Sequence, residues 1–187
     1  YLDVDNDGIC YRTYPGTHPE KGAFFTRGTS HDEYARYTED GEVNAATLSR
    51  LMKKFRTASE LVPKPVIEIN GEDSCGVIFY GSTSPAVHEA KDILKDKEIN
   101  IDLMQIRSFP FNLDVWEFIA NHDRIYVVEQ NRDSQMRTLI MAEGGISPEI
   151  LRPLVHFTGD PIQASYIVNK ISEREVNYKS HINAKKR

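Results

Sequence analysis

A chain of 187 residues, 40% hydrophobic and 27% charged, has the composition of one folded domain, or of a domain with an extension, and is long enough to bury a core. Its formal net charge of -5 offers no clustered cations for a phosphate backbone, so nucleic acid is not an expected partner, and Lys185, Lys186 and Arg187 read as a solvated end. No apolar run reaches the length of a membrane span and no signal-peptide pattern occurs, so no membrane contact and a cytoplasmic location are expected.

The chain opens with Asp3, Asp5 and Asp7 followed by Gly8, the first half of a calcium-binding loop. Counted from Asp3, the twelfth position that should carry a bidentate glutamate is Tyr14, and Pro15 and Gly16 follow where a helix should run. An ordinary turn is therefore the expected reading, with no metal site. Residues 1 to 43 hold five of the eleven glycines, with Pro15 and Pro19, and read as an irregular connector with one short strand at GAFFTRG. The chain begins with Tyr, and these turn-rich residues read as cut from a longer protein.

Residues 44–60 predict a helix, because Ala45, Leu48, Leu51, Met52 and Phe55 recur at helical spacing while Arg50, Lys53, Lys54 and Arg56 take the other face. LVPKPVIEINGEDS then reads as a linker. Two domains follow from this: a connector segment over 1–73 and an α/β domain over 74–187. From Cys75 the rhythm becomes strand then helix, repeated four times: CGVIFYG, SPAVHEAKDILKDK with Ser84 as cap, INIDLMQI, NLDVWEFIANH, RIYVVEQ, SQMRTLIMAEG, PLVHFTG and PIQASYIVNKIS. Short links between such elements predict a mainly parallel sheet with helices on both faces.

In such a sheet ligands gather where strands end. Gly81 to Ser84 close one strand and open a helix, so Ser82, Thr83 and Ser84 present hydroxyls and backbone N–H groups to an anion; helix capping alone also explains them. Arg107 ends the next strand. Glu129, Gln130, Asn131 and Arg132 follow the third, able to meet a ligand or a neighbouring subunit, or to cap the next helix. Asp160 and Pro161 lie at a further strand-to-helix turn. His31, Asp32 and Glu33 are adjacent titratable groups in a loop, where His31 can change charge near neutral pH. No nucleophile, base and orienting acid are spaced as a catalytic triad. Cys10 and Cys75 lack a CxxC spacing and cannot by themselves hold an iron-sulfur cluster or a structural zinc; a reduced pair is expected.

The runs GVIFYGSTSPAVHEAKDIL, IDLMQIRSFPF and YVVEQNRDSQMRTLI, in this order, resemble the transketolase carboxyl-terminal-like domain of 2-oxoacid:ferredoxin oxidoreductase alpha subunits. DGICYRTYPGT and GTSHDEYARYTED resemble the segment that joins it to the preceding pyrimidine-binding domain, so the likeness covers nearly the whole chain. The resemblance implies a fragment of an enzyme that decarboxylates a 2-oxoacid, 2-oxoglutarate being the preferred substrate, on thiamine diphosphate and Mg. Electrons would then pass through an iron-sulfur cluster to ferredoxin, and the acyl group would leave on coenzyme A. It also implies that these cofactors are held by the preceding domain and the partner beta subunit, not by this fragment. The fragment itself is expected to be inactive and to serve subunit assembly and substrate access. By the same resemblance, Arg27, His31, Asp32 and Glu33 approach the active site, with His31 or Arg27 suited to an acidic substrate. Glu129, Asn131 and Gln135 match a Glu-x-Asn-x-x-Gly-Gln pattern expected at a subunit contact. Two departures occur: Ser134, and Ala35 or Arg36, stand where family members commonly carry Gly, so the backbone there does not simply carry over. The alternative reading is a free-standing α/β module binding a nucleotide or another anion through GSTSPA.

Overall fold

The structure is a computed structural model describing residues 1–22, 30–71 and 74–185, with side chains through residue 178. It divides into two compact units, Tyr1–Val62 and Pro63–Arg187. Most of the strand expected at GAFFTRG, and Arg27 with it, lies outside the described residues.

In the first unit, helix α1 spans Gly41–Leu61 and is capped by Asp40, whose carboxylate accepts from the Glu42 and Val43 amides. The aspartates of the opening turn serve the turn itself. Asp3 Oδ1 accepts from the Asp7 and Gly8 amides, each at 3.0 Å, and Asp5 Oδ2 accepts from the Tyr11 hydroxyl at 2.8 Å. Gly8 has φ +86°, and a Cβ there would stand 2.3 Å from the Lys54 backbone nitrogen. Glycine is therefore required for this turn to lie against α1, where Arg50 Nη1 donates to the Gly8 carbonyl at 2.9 Å. On α1, Leu48, Met52 and Phe55 of the apolar stripe are exposed.

The second unit is the expected α/β sandwich. Strands β1 (Val66–Glu68), β2 (Cys75–Tyr80), β3 (Ile101–Ile106), β4 (Ile125–Glu129) and β5 (Leu151–Val155) form one sheet in the order β1-β3-β2-β4-β5. All pairings are parallel except β1 with β3. Side chains alternate between faces along a strand. Val77 and Phe79 of β2 with Tyr126 and Val128 of β4 therefore pack under α2 (Ser84–Asp96) and α5 (Ala164–Lys185). Ile78, Met104 and Val127 face the other way, toward α3 (Leu113–Ala120) and α4 (Gln135–Gly144). Gly76 allows α3 to approach, since a Cβ would lie 3.0 Å from Phe118 Cε1.

Four details differ from the sequence expectation. Residues 66–68, read as linker, form the antiparallel edge strand β1. The last strand is Leu151–Val155 and not residues 153–159. Pro153 sits inside it because β5 is an edge: the His156 amide donates to the Glu129 carbonyl at 2.9 Å, which turns the Pro153 nitrogen, lacking a proton, to the open side. Helix α5 runs to Lys185, well past the expected residue 172. Finally, Ser84 is not the cap of α2; a 3-10 turn at Gly81–Thr83 leads straight into the helix, and its N-cap Thr83 makes no side-chain capping bond.

Candidate functional site

At the carboxyl ends of the strands, Gln130 after β4 ties the turn after β2 to the loop that leads into α5. Its Nε2 donates to Thr83 Oγ1 at 3.2 Å and to Ser82 Oγ at 3.4 Å, and its Oε1 accepts from the Ile162 amide at 3.3 Å. Ser82 is exposed, Thr83 buried and Ser84 half-buried. Arg107 is exposed just after β3, so it is not drawn into this cluster.

Glu129 is fully buried at the end of β4. A buried carboxylate must be matched by donors, and three converge on it: the Met136 amide at 2.8 Å, the Arg137 amide at 3.0 Å and Asn131 Nδ2 at 2.8 Å. The first two belong to the opening turn of α4, whose N-terminal dipole favours a negative charge. Asn131 completes the loop by accepting from the Asp133 and Gln135 amides at 3.1 and 3.2 Å while donating to the Tyr80 hydroxyl at 3.4 Å. Burial, then the neighbouring Glu129 carboxylate, pushes the Tyr80 phenol above its ordinary value. Gln135 is exposed, and its backbone amide is the part that joins this network. The Glu-Gln-Asn run thus caps a helix and joins the ends of β2 and β4 to the loop before α5 in one network. Ser134 adopts φ 51° and ψ 50°, the left-handed backbone that glycine takes most readily.

In the first unit, His31, Asp32 and Glu33 line a cavity of about 340 Å³ together with Asp3, Tyr34 and Arg50 of α1. Asp32 Oδ1 accepts from the Tyr34 and Arg36 amides at 2.9 and 2.8 Å, so this carboxylate shapes the loop. His31 Nδ1 lies 2.8 Å from the Asp32 carbonyl, and the Tyr1 ring lies 4.4 Å from the imidazole. Ala35, like Ser134, is left-handed, at φ 66°. Arg50 was read as one cation on a solvated face; its place in the cavity depends on a fold-back that no local pattern encodes.

At the amino ends of the strands, two buried polar pairs were not anticipated. His122 Nε2 lies 3.1 Å from Asp102 Oδ2, and Arg124 Nε donates to Glu175 Oε2 at 2.9 Å. Among the described residues no group of three or more His, Cys, Asp or Glu is arranged to hold a metal ion. Cys75 is buried, and burial pushes its thiol up to about 12, so it is not available as a thiolate ligand near neutral pH. The residues present do not fit an iron-sulfur cluster.

A parallel α/β sheet with a polar network at its carboxyl edge defines the class of domain. No protein-family profile matches the chain. Over 175 residues, 90% of this chain, it is 27% identical to the alpha subunit of 2-oxoacid:ferredoxin oxidoreductase 2 of Aeropyrum pernix, covering 26% of that protein. Over 152 residues it is 28% identical to the alpha subunit of 2-oxoacid:ferredoxin oxidoreductase of Saccharolobus solfataricus, covering 79% of this chain and 23% of that one. The fold superposes with a TM-score of 0.75 and 24% identity on a 2-oxoglutarate:ferredoxin oxidoreductase from Magnetococcus marinus with 2-oxoglutarate, coenzyme A and succinyl-CoA bound, over 89% of this chain and 29% of that one. The resemblance carried by the motifs is borne out: the chain is similar, over nearly its whole length, to one segment of 2-oxoacid:ferredoxin oxidoreductase alpha subunits. It spans about a quarter of the length of the curated relatives it matches.

Proposed function

We propose that this chain is a segment of the alpha subunit of a 2-oxoacid:ferredoxin oxidoreductase, with 2-oxoglutarate as the preferred substrate. The whole enzyme converts the 2-oxoacid and coenzyme A to acyl-CoA and carbon dioxide, and ferredoxin takes the electrons. Thiamine diphosphate with Mg supplies the decarboxylation chemistry and an iron-sulfur cluster the electron path. Both belong in this reading to the preceding pyrimidine-binding domain and the beta subunit. The observation that carries the proposal is the likeness to two such alpha subunits along 90% and 79% of the chain, on a matching fold.

The role of the segment itself is assembly and substrate access. The open stripe of Leu48, Met52 and Phe55 on α1 supports a protein contact, because apolar residues grouped on one exposed face mark interaction surfaces. The cavity beside His31 and Arg50 supports an approach of the first unit to an acidic substrate. The isolated chain is expected to bind no thiamine diphosphate by calorimetry and to reduce no viologen dye with 2-oxoglutarate and coenzyme A. Turnover by the chain alone would overturn this division of labour.

A further inference from the structure

We propose that the open edge of β5 carries an oxyanion-binding site built on Arg152 and Arg174. Here three guanidinium groups alternate with two phenol rings. Arg124 Cζ lies 4.3 Å from the Tyr178 ring centroid, Arg152 Cζ 5.5 Å from the same ring and 5.8 Å from that of Tyr126, and Arg174 Cζ 5.7 Å from Tyr126. The two acids of the cluster are engaged by Arg124 and the two phenols, not by Arg152 or Arg174. Asp123 accepts from Arg124 Nη1 at 2.8 Å and from the Tyr178 hydroxyl, and Glu175 accepts from Arg124 Nε at 2.9 Å and from the Tyr126 hydroxyl at 2.8 Å.

Arg152 and Arg174 have no carboxylate partner among the described residues. Arg152 Nη1 donates to the Tyr126 hydroxyl at 3.4 Å, and Arg174 Nη1 to the Pro153 carbonyl at 2.9 Å. A guanidinium carries five N–H donors, so most of the donors on both remain for another acceptor. The two side chains line an open cavity of about 500 Å³ with Pro153, Asn177 and Tyr178.

Three cations against two carboxylates leave this corner positive in a chain whose formal charge is -5. Stacking on the tyrosines holds the arginines in place before a ligand arrives, which removes part of the ordering cost of binding. The planar fork of each then suits the paired oxygens of a phosphate or a carboxylate. Protection of an open sheet edge accounts for the bond from Arg174 to Pro153. It leaves Arg152 unexplained, because Arg152 faces rings. The site uses residues of β4, the two residues before it, β5 and α5, and stands independently of the oxidoreductase reading.

The test is a calorimetric titration of the 187-residue chain with inorganic phosphate, pyrophosphate and succinate at constant ionic strength, with sodium chloride as the blank. Saturable binding of at least one of them is expected, and the better ligand distinguishes a phosphate from a carboxylate source. The affinity should fall at least tenfold in Arg152→Gln. It should fall as far in Asn177→Asp, which places a carboxylate in the cavity at an exposed position and leaves the circular dichroism unchanged. No saturable response to any of the three anions, or an unaltered affinity in folded Asn177→Asp, would overturn the proposal.

Discussion

Ala35 and Ser134 hold left-handed backbone, at φ 66° and φ 51°, without being glycine. Glycine takes this backbone without strain, whereas a residue with a side chain does not. A Cβ in this region crowds the following carbonyl. Replacing either residue by Gly should therefore raise stability by about 0.5–1 kcal/mol, even after the added freedom of the unfolded chain. Urea unfolding of Ala35→Gly and Ser134→Gly reads this directly, and a loss of stability in both would show that the turns are not strained.

Cys75 is a second residue whose environment makes a prediction. Its folded thiol, held up by burial to about 12, keeps its proton where an unfolded thiol has lost it. Below about pH 8.5 both states are protonated and the thiol contributes no pH dependence. From there to about pH 12 the unfolded chain binds fewer protons, so stability falls, by up to about 1.4 kcal/mol per pH unit. The slope should be shallower in Cys75→Ala by that amount. A thiol reagent at pH 8 should label half-buried Cys10 well before Cys75.

Among the elements, α4 depends on a residue outside itself. Glu129 on β4 accepts from two amides of its first turn, so Glu129→Ala leaves buried donors unpaired and should cost about 1–3 kcal/mol in a denaturant midpoint measurement. A change within a few tenths would mean that the loop re-caps the helix by itself.

The strands β2, β3 and β4 were legible because burial on both faces makes them nearly continuous apolar runs. β1 was not, since Val66, Ile67 and Glu68 follow Pro63 and Pro65 and meet β3 only through long-range pairing. The limits of β5 were missed because Pro153 reads as the start of a strand until its edge position is known. The length of α5 was missed because SEREVNYKS carries no breaker and no strong apolar period to mark an end. For the candidate site, the polar run at 129–131 was visible as chemistry. That Gln130 joins the turn after β2 to the loop before α5, and that Glu129 is wholly buried, are consequences of the sheet order, which adjacency in sequence does not state.

At the scale of the whole molecule, two units with an exposed apolar helix face and a buried α/β core match one segment of much longer alpha subunits. Among the described residues no helix is long and apolar enough to cross a membrane. Under the proposed function, the longer protein containing this segment, assembled with its beta partner, oxidises a 2-oxoacid in the presence of coenzyme A. The decisive measurement is viologen dye reduction by that complex with 2-oxoglutarate or pyruvate, with and without coenzyme A. Reduction that requires coenzyme A and is faster with 2-oxoglutarate is expected. No reduction with either acid, from a complex shown to contain thiamine diphosphate and its cluster, would contradict it.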